Sequence, residues 1–167
     1  MQIKVMTVTY PIDATGVWLG KKNGGLGHGL YNGFGGHEEE TDPDLEFSAK
    51  RETWEEAQIK ADKIEKCGIT LNLHVDKDLL VELHFFLCRE FSGIPQCTEE
   101  MEPQHFPFDK IPYSSMWPHD QLILPLFLQR KKVIAWFLLN NNQVIEHLVK
   151  QVDDLPRVHR LLKVAKI

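Results

Sequence analysis

The chain alternates apolar and polar side chains over several short stretches, the period-2 pattern of half-buried β-strands. Residues 3–10 show it first and are rich in valine and threonine. Two polar triplets, Asp76-Lys77-Asp78 and Asn140-Asn141-Asn142, separate later alternating stretches and are predicted to be turns. The predicted strands cover residues 3–10, 17–20, 67–75, 79–89, 104–108, 133–139 and 144–149.

A long helix is predicted after the first strands. Asp42 suits its cap, because an Asp side chain accepts bonds from free N–H groups, and Pro43 suits the first helical position. We expect this helix to run to about residue 60, and we predict further helices over residues 121–131 and 155–165. The order of strands and helices indicates an α/β (α+β) fold, in which helices cover the faces of a mixed sheet.

Eight of the eleven glycines lie between Gly20 and Gly36. Glycine permits a close approach of backbone to a ligand. No Gly-Lys-Ser/Thr follows, which excludes a P-loop. A flexible surface loop is the alternative interpretation, but the apolar residues within the segment favour a packed one. They are Leu26, Leu30, Tyr31 and Phe34.

The composition limits the possible partners. The net charge of −5 argues against stable binding to duplex nucleic acid, which favours a basic face. An acidic chain that handles phosphates needs a cation, so a bound metal is expected. No apolar run approaches the roughly 18–20 residues that span a bilayer, and no secretion signal is evident. The three cysteines lack CxxC spacing, which favours a reducing, cytoplasmic setting.

The long helix carries an acidic cluster. Glu52, Glu55 and Glu56 share an arc of about 100° on an ideal helix, and Arg51 lies one turn before Glu55. Clustered carboxylates are the hard oxygen ligands that suit Mg²⁺ or Mn²⁺. A solvated acidic face is the alternative. Phe47 and Trp54 mark a bulky stripe, which predicts that the helix is contacted from more than one side.

These residues resemble the Nudix signature. That signature is Gly, five residues, Glu, seven residues, Arg-Glu, an apolar residue, any residue, Glu-Glu, any residue, Gly and an apolar residue. The chain supplies Gly36, the Arg51-Glu52 pair and the Glu55-Glu56 pair. The segments at residues 29–36, 99–103, 109–120 and 124–137 are similar to those of the MutT-type 8-oxo-dGTP diphosphatases of animals.

The resemblance covers residues 1 to about 154 and implies a Nudix-type α/β/α sandwich with a mixed central sheet. Residues 155–167 would then be a C-terminal helical extension. The resemblance implies a monomeric, Mg²⁺-dependent enzyme, with Mn²⁺ as a possible substitute. Its reaction would be attack of an activated water on a nucleoside triphosphate, releasing a nucleoside monophosphate and pyrophosphate.

Roles for individual residues follow from the resemblance. Glu56 or Glu52 would help to activate the water, and Arg51 would orient the glutamates. The implied metal ligands are Gly36, Glu52, Glu55, Glu56 and Glu100. The implied substrate-binding residues are Lys22, Asn32, Trp117, His119 and Asp120, with Lys22 directed at phosphate and the others at the base.

The chain departs from the signature at several positions. The spacing from Gly36 to Arg51 is one residue too long, and the first glutamate has no clean match among Glu40, Asp42 and Asp44. Gln58 stands where the closing glycine is expected. His119-Asp120 replaces a pair of aspartates, and pocket aromatics or methionine are replaced at four further positions. Those four are Leu26, Asn72, Val81 and Ile123.

These departures leave the function open at this point. A preference for oxidised purines and a broader nucleotide preference both remain possible. Two alternatives are a Nudix hydrolase of a dinucleotide, nucleotide sugar or RNA cap, and a non-catalytic nucleotide-binding module.

Overall fold

Two β-sheets and two α-helices make up the part of the protein that the structure describes. The computed structural model describes residues 1–156. The strands are β1 (Gln2–Pro11), β2 (Gly16–Lys22), β3 (Tyr31–Asn32), β4 (Lys60–His74), β5 (Leu79–Ser92), β6 (Met101–Pro107), β7 (Lys132–Asn140) and β8 (Gln143–Val152). The α-helices are α1 (Leu45–Ala57) and α2 (Asp120–Leu128). Short 3₁₀ turns lie at Val75–Lys77, Phe108–Lys110 and Tyr113–Ser115.

The larger sheet has five strands in the order β1-β5-β4-β7-β8. β1 and β5 are parallel, as are β4 and β7, whereas β4 pairs with β5 and β7 with β8 in antiparallel fashion. This confirms the predicted mixed sheet. The smaller antiparallel sheet has the order β3-β2-β6.

The two helices cover opposite faces of the larger sheet. Successive side chains on a strand point to opposite faces, so Phe85 and Phe86 of β5 face different helices. Phe86 packs in a buried cluster with Leu45 and Ala49 of α1. Phe85 contacts Phe127 of α2, with ring centroids 5.2 Å apart. The predicted α/β/α layering is therefore confirmed.

The polar turns form where the sequence places them. Asn141 and Asn142 have φ values of 48° and 60°, and two consecutive left-handed residues are what a tight hairpin between β7 and β8 requires. Asparagine tolerates this conformation better than most residues. Asp78 has a φ of 48° and leads into β5.

Several element boundaries differ from the prediction. Asp44 caps α1, not Asp42, and the helix ends at Ala57. The carboxylate of Asp42 is engaged by Arg51 instead. β4 begins at Lys60 rather than 67, because register shifts near Lys63 break its alternation. β6 and α2 each begin and end earlier than predicted, at Met101–Pro107 and Asp120–Leu128.

The predicted C-terminal helix falls largely beyond the described chain. Leu155 and Pro156 have no helical conformation, and residues 157–167 lie outside the described residues. Leu155 is buried. None of the helices within residues 1–156 is long and apolar enough to cross a lipid bilayer.

The second half of the glycine-rich segment is packed against β1, whereas Gly25 and His28 in its first half are exposed. Phe34 is fully buried and pairs with Thr9 of β1 through backbone bonds in both directions. The prediction that α1 is contacted from more than one side is confirmed, since Ala49 packs on the larger sheet and Glu56 meets the glycine-rich segment. The bulky stripe takes little part in these contacts. Phe47 and Trp54 are about half exposed, at 49% and 50%.

Candidate active site

Helix α1 presents three carboxylates with graded burial. Its first turn is fixed by Asp44, whose Oδ1 accepts a hydrogen bond from the backbone N–H of Phe47 at 2.8 Å. Farther along, the Glu55 side chain is 49% exposed and that of Glu52 only 13%. Glu56 is 2% exposed. The acidic arc is therefore partly buried, and the alternative of a fully solvated acidic face is wrong.

Arg51 holds the acidic residues together. Its Nε and Nη2 donate to the two oxygens of Asp42 at 3.0 and 2.8 Å. Its Nη1 donates to Glu52 at 3.1 Å and to Glu55 at 3.0 Å. The bidentate bond from Arg51 lowers the pKa of Asp42 to about 2. The guanidinium therefore fixes both the loop before the helix and two of its glutamates.

Glu56 is joined to the glycine-rich segment. Its Oε2 accepts a hydrogen bond from the backbone N–H of Gly35 at 2.9 Å. Burial raises the pKa of Glu56 to about 8, against the effect of that bond, and the charges of Glu52 and Glu100 act in the same direction as burial. Burial also raises the pKa of Glu52, which Arg51 opposes.

The backbone at Gly36 lies directly against the Glu52 carboxylate. A Cβ atom placed on Gly36 would lie 2.5 Å from Glu52 Oε1. At Gly35, a Cβ atom would overlap the backbone carbonyl of Thr7. Two adjacent glycines thus let the loop pass between β1 and the acidic face of α1.

The chemistry of these donors fits a divalent cation. Within residues 1–156, no group of three or more Asp, Glu, His or Cys side chains already encloses a metal position. The Arg51 guanidinium lies against Glu52 and Glu55 instead. However, the charges of Glu55 and Glu100 both act on Glu52. Partly buried carboxylates that repel one another are stabilised by a hard cation such as Mg²⁺.

A pocket that is partly open to solvent adjoins the glycine-rich segment. Gly33 and Gly35 line it on the side of that segment, and Tyr10 lines its floor. All five residues predicted to bind substrate also line it, namely Lys22, Asn32, Trp117, His119 and Asp120.

The inner end of the pocket holds two buried titratable groups. His119 Nε2 lies 3.8 Å from Asp120 Oδ1, beyond hydrogen-bonding distance. Burial lowers the pKa of His119 to about 3, and the nearby His74 adds to this. Burial raises the pKa of Asp120 to about 7, opposed by bonds from the Trp117 backbone and the Tyr10 hydroxyl. His119 is therefore neutral at pH 7.

A family model described as the NUDIX domain matches residues 3–137 of the chain. The chain belongs to the Nudix family. The match includes the glycine-rich segment, the acidic helix and the pocket, so the sequence-based prediction of a Nudix domain is confirmed.

Two relatives of this Nudix protein match over nearly their whole length. The chain is 37% identical over 153 residues to the oxidized purine nucleoside triphosphate hydrolase of Danio rerio, covering 91% of this chain and 97% of that one. It is 34% identical over 151 residues to the enzyme of the same name from Mus musculus, covering 90% and 96%.

Solved structures agree with the Nudix fold. A MutT protein from Bacillus halodurans matches with a TM-score of 0.77 at 22% identity, covering 88% of this chain and 97% of that one. A MutT protein from Methanosarcina mazei matches with a TM-score of 0.66 at 16% identity, covering 77% and 95%.

The structure resolves one ambiguity in the Nudix signature. The signature places its first acid after the five residues that follow Gly36, which is position 42. Asp42 stands there and binds Arg51. Gln58 follows α1 with a φ of 58°, the left-handed conformation that the closing glycine of the signature adopts most easily. The extra residue of the chain therefore lies between Asp42 and Arg51.

The pocket residues that were not predicted to bind substrate include Tyr10, Asn72 and His74. Tyr10 was hidden in an ordinary strand pattern. In the sequence, Asn72 stands out only as a replacement of an aromatic residue, and His74 shows no ligand spacing. Asn72 and His74 are two residues apart on β4. This spacing was the available signal, since residues i and i+2 of a strand share a face.

Proposed function

We propose that this Nudix protein is a Mg²⁺-dependent pyrophosphohydrolase. It cleaves a purine nucleoside triphosphate, oxidised purines included, to the nucleoside monophosphate and pyrophosphate. The names of the two animal relatives support this substrate class. Mn²⁺ is expected to substitute for Mg²⁺, because both prefer oxygen ligands.

One observation carries the proposal: the loop that lines the base pocket also touches the acidic helix. Gly33 and Gly35 line the pocket. The N–H of Gly35 binds Glu56, and Gly36 lies against Glu52. A nucleotide whose base occupies the pocket therefore has a short path for its phosphates to the carboxylates.

Each group has a distinct task in this mechanism. Glu52, Glu55, Glu56 and Glu100, with the carbonyl of Gly36, would hold the cation. When bound, Mg²⁺ neutralises phosphate charge and favours deprotonation of a water. Lys22 lines the pocket, and its charge acts on Glu56, which supports its proposed contact with phosphate between the two regions. Arg51 keeps Glu52 and Glu55 in position.

The base is held by four of the residues that line the pocket: Asn32, Trp117, His119 and Asp120. Trp117 stacks on one side of the pocket, where its ring lies within 3.1–3.4 Å of a Cβ position on Gly27. Asn32 and Asp120 supply hydrogen-bonding groups. His119, being neutral, offers one donor and one acceptor nitrogen.

Glu56→Gln is the direct test. It keeps an acceptor for the Gly35 N–H but cannot ionise to bind a cation or take a proton, so we expect pyrophosphate release to fall by at least about 10²-fold. Glu52→Gln distinguishes which carboxylate takes the proton of water, since the larger loss in kcat identifies it. Glu146→Gln, on β8, is the control and should leave the rate unchanged. Full turnover by Glu56→Gln would remove Glu56 from the mechanism.

A substrate panel separates the remaining candidates. About thirty nucleotides with Mg²⁺ should be compared by product mass, including dinucleotides, nucleotide sugars and capped RNA. Cleavage of those compounds in preference to triphosphates would replace the proposed substrate class. Binding without turnover at any Mg²⁺ or Mn²⁺ concentration would indicate a non-catalytic module.

The remaining proposals concern the setting of the enzyme. We propose a cytoplasmic monomer whose partner is the nucleotide alone, without duplex nucleic acid or membrane. Residues 1–154 would form the hydrolase domain, with residues 155–167 as an extension. Light scattering of the purified chain tests the monomer directly.

A further inference from the structure

β4 carries a row of polar side chains on an apolar face of the sheet. Thr70, Asn72 and His74 alternate along this strand and point toward the pocket side. Their direct neighbours on β5 and β7 are all apolar: Leu79, Val81, Leu83, Ala135, Phe137 and Leu139. Polar side chains in such surroundings need hydrogen-bond partners that these apolar neighbours do not supply.

Each side chain of this row has a buried polar atom without a hydrogen-bond partner in the described chain. Thr70 is 0% exposed, Asn72 2% and His74 3%. Thr70 Oγ1, Asn72 Oδ1 and His74 Nδ1 accept and donate no hydrogen bond there. A buried polar group left unpaired destabilises the folded protein. The ligand-free protein is therefore destabilised by these unpaired atoms, and a ligand that forms hydrogen bonds with them could remove the destabilisation.

Only two members of the row reach the pocket. Asn72 and His74 line it, whereas Thr70 does not. The His74 ring also meets the Trp117 ring edge to face, with centroids 5.7 Å apart. Asp120 lines the same pocket from α2. The pocket thus presents hydrogen-bonding groups from two separate elements.

We propose that Asn72 and His74 are specificity-determining residues that read a second edge of the base. This inference rests on the proposed function and deepens it. The pocket would select purines that carry hydrogen-bonding substituents on more than one edge, such as guanine or an 8-oxopurine, over purines that lack them. Asp120 and Asn32 meet one edge, and the β4 pair meets the other.

The chemistry of the pair suits this task. The Asn72 amide both donates and accepts. Burial lowers the pKa of His74, and the charge of Lys77 adds to this. Its imidazole is therefore neutral at pH 7, with one donor and one acceptor nitrogen. A site that pairs with a ligand's polar groups rejects analogues without them, since its own groups stay unpaired.

The test measures binding without turnover. Dissociation constants of 8-oxo-dGMP, dGMP, dAMP and the monophosphate of unsubstituted purine deoxyriboside are measured by calorimetry without metal. We expect the wild type to bind dGMP at least about tenfold tighter than the unsubstituted purine. In Asn72→Leu and His74→Phe this ratio should fall to about threefold or less.

Stability distinguishes this role from a structural one. Asn72→Leu removes a buried unpaired group, so the free protein should unfold at the same temperature or higher. Thr70→Val is the matched control, because it also removes an unpaired buried atom from the same row but not from the pocket. It should keep the wild-type binding ratio.

Two results would overturn the proposal. One is an unchanged binding ratio in folded Asn72→Leu and His74→Phe. The other is an equal loss of the ratio in Thr70→Val. Failure of the proposed hydrolysis leaves this experiment intact, because the monophosphates are bound and not cleaved. Conversely, if the binding experiment fails, pyrophosphate release by the wild-type protein is unaffected, so the two proposals are tested separately.

Discussion

At the scale of single residues, backbone and carboxylates approach closely where the glycine-rich segment passes α1. A Cβ on Gly36 would meet the end of the Glu52 side chain, whereas a Cβ on Gly35 would meet the backbone of Thr7. The first obstacle is a flexible group and the second is not. The two neighbouring glycines therefore serve different purposes. Gly36 leaves room for the Glu52 carboxylate, and Gly35 allows the segment to pack against the backbone of β1.

Gly36→Ala should reduce activity far more than stability. Glu52 can turn away, so the free energy of unfolding should change by less than about 1 kcal/mol. Moving the carboxylate by about an ångström should lower kcat by roughly 10²-fold. Gly35→Ala should instead destabilise the chain by about 1–3 kcal/mol, because its backbone must move. Urea unfolding and steady-state kinetics on both variants check this. If the two variants were equally destabilised and lost similar activity, the prediction would be wrong.

Asp42→Asn should lower the free energy of unfolding at pH 7 by about 1.5–3 kcal/mol, since it weakens charge-assisted bonds to Arg51. Asp44→Asn removes the same charge two residues away. It should cost under about 0.5 kcal/mol, because asparagine also caps helices.

The effect of Asp42 depends on pH in a defined direction. Arg51 lowers the pKa of Asp42 to about 2, below its ordinary value of 3.8. Folding therefore favours the ionised form, so the stabilisation is present above about pH 4 and is lost as the pH falls toward 2. Urea unfolding should show a gap between wild type and Asp42→Asn that is constant from pH 7 to 4.5 and narrows at pH 3. A gap that widens in acid would show that another group is responsible.

The Arg51 cluster also shows what the sequence can and cannot predict. The contact between Arg51 and Glu55 follows from helical spacing alone. The contact with Asp42 does not, because Glu40, Asp42 and Asp44 were all within reach. Only the path of the loop, with Asp44 used as the cap, decides among them.

At the scale of elements, regular patterns were predictable and irregular ones were not. The β7–β8 hairpin follows from its asparagines and clean alternation. The first half of β4 was missed, because bulges near Lys63 interrupt the period of two. The polar row on β4 was missed for a different reason, since its histidine and asparagine match no ligand spacing until the pocket brings them together.

The end of α1 offers a stabilising change. Gln58 adopts φ 58°, which costs a side-chain residue about 1–2 kcal/mol, while its amide donates to the Trp54 carbonyl at 3.3 Å. Gln58→Gly should raise the midpoint of thermal unfolding by about 1–4 °C, the strain relief exceeding the entropy of glycine. Gln58→Ala keeps the strain and loses the amide bond, so it should not raise the midpoint. Calorimetry on the three proteins decides, and a gain with alanine would rule out backbone strain as the cause.

At the scale of the whole molecule, the net charge of −5 is unevenly distributed. Several of the acids gather where α1 meets the glycine-rich segment, and burial makes their repulsion costly. A protein that keeps such a cluster is expected to depend on its ionic surroundings. Its stability should therefore respond to divalent cations and not only to ionic strength.

Mg²⁺ should raise the thermal midpoint of the free protein. For a dissociation constant near 1 mM, 10 mM Mg²⁺ stabilises by about 1.4 kcal/mol. The double variant Glu52→Gln/Glu56→Gln should lose this shift, and Glu146→Gln should retain it. Differential scanning calorimetry at constant ionic strength makes the comparison. The same shift in the double variant would place the cation elsewhere.

The segment from Gly33 to Gly36 has one more consequence, which concerns length. It borders the pocket on one side and touches Glu52 and Glu56 on the other. Any ligand that occupies the pocket and also reaches the carboxylates must be long enough to span this segment. The segment therefore sets a minimum length for the ligand. A free nucleoside reaches only the pocket, and inorganic pyrophosphate reaches only the carboxylates. Each should therefore compete poorly with the intact nucleotide for binding.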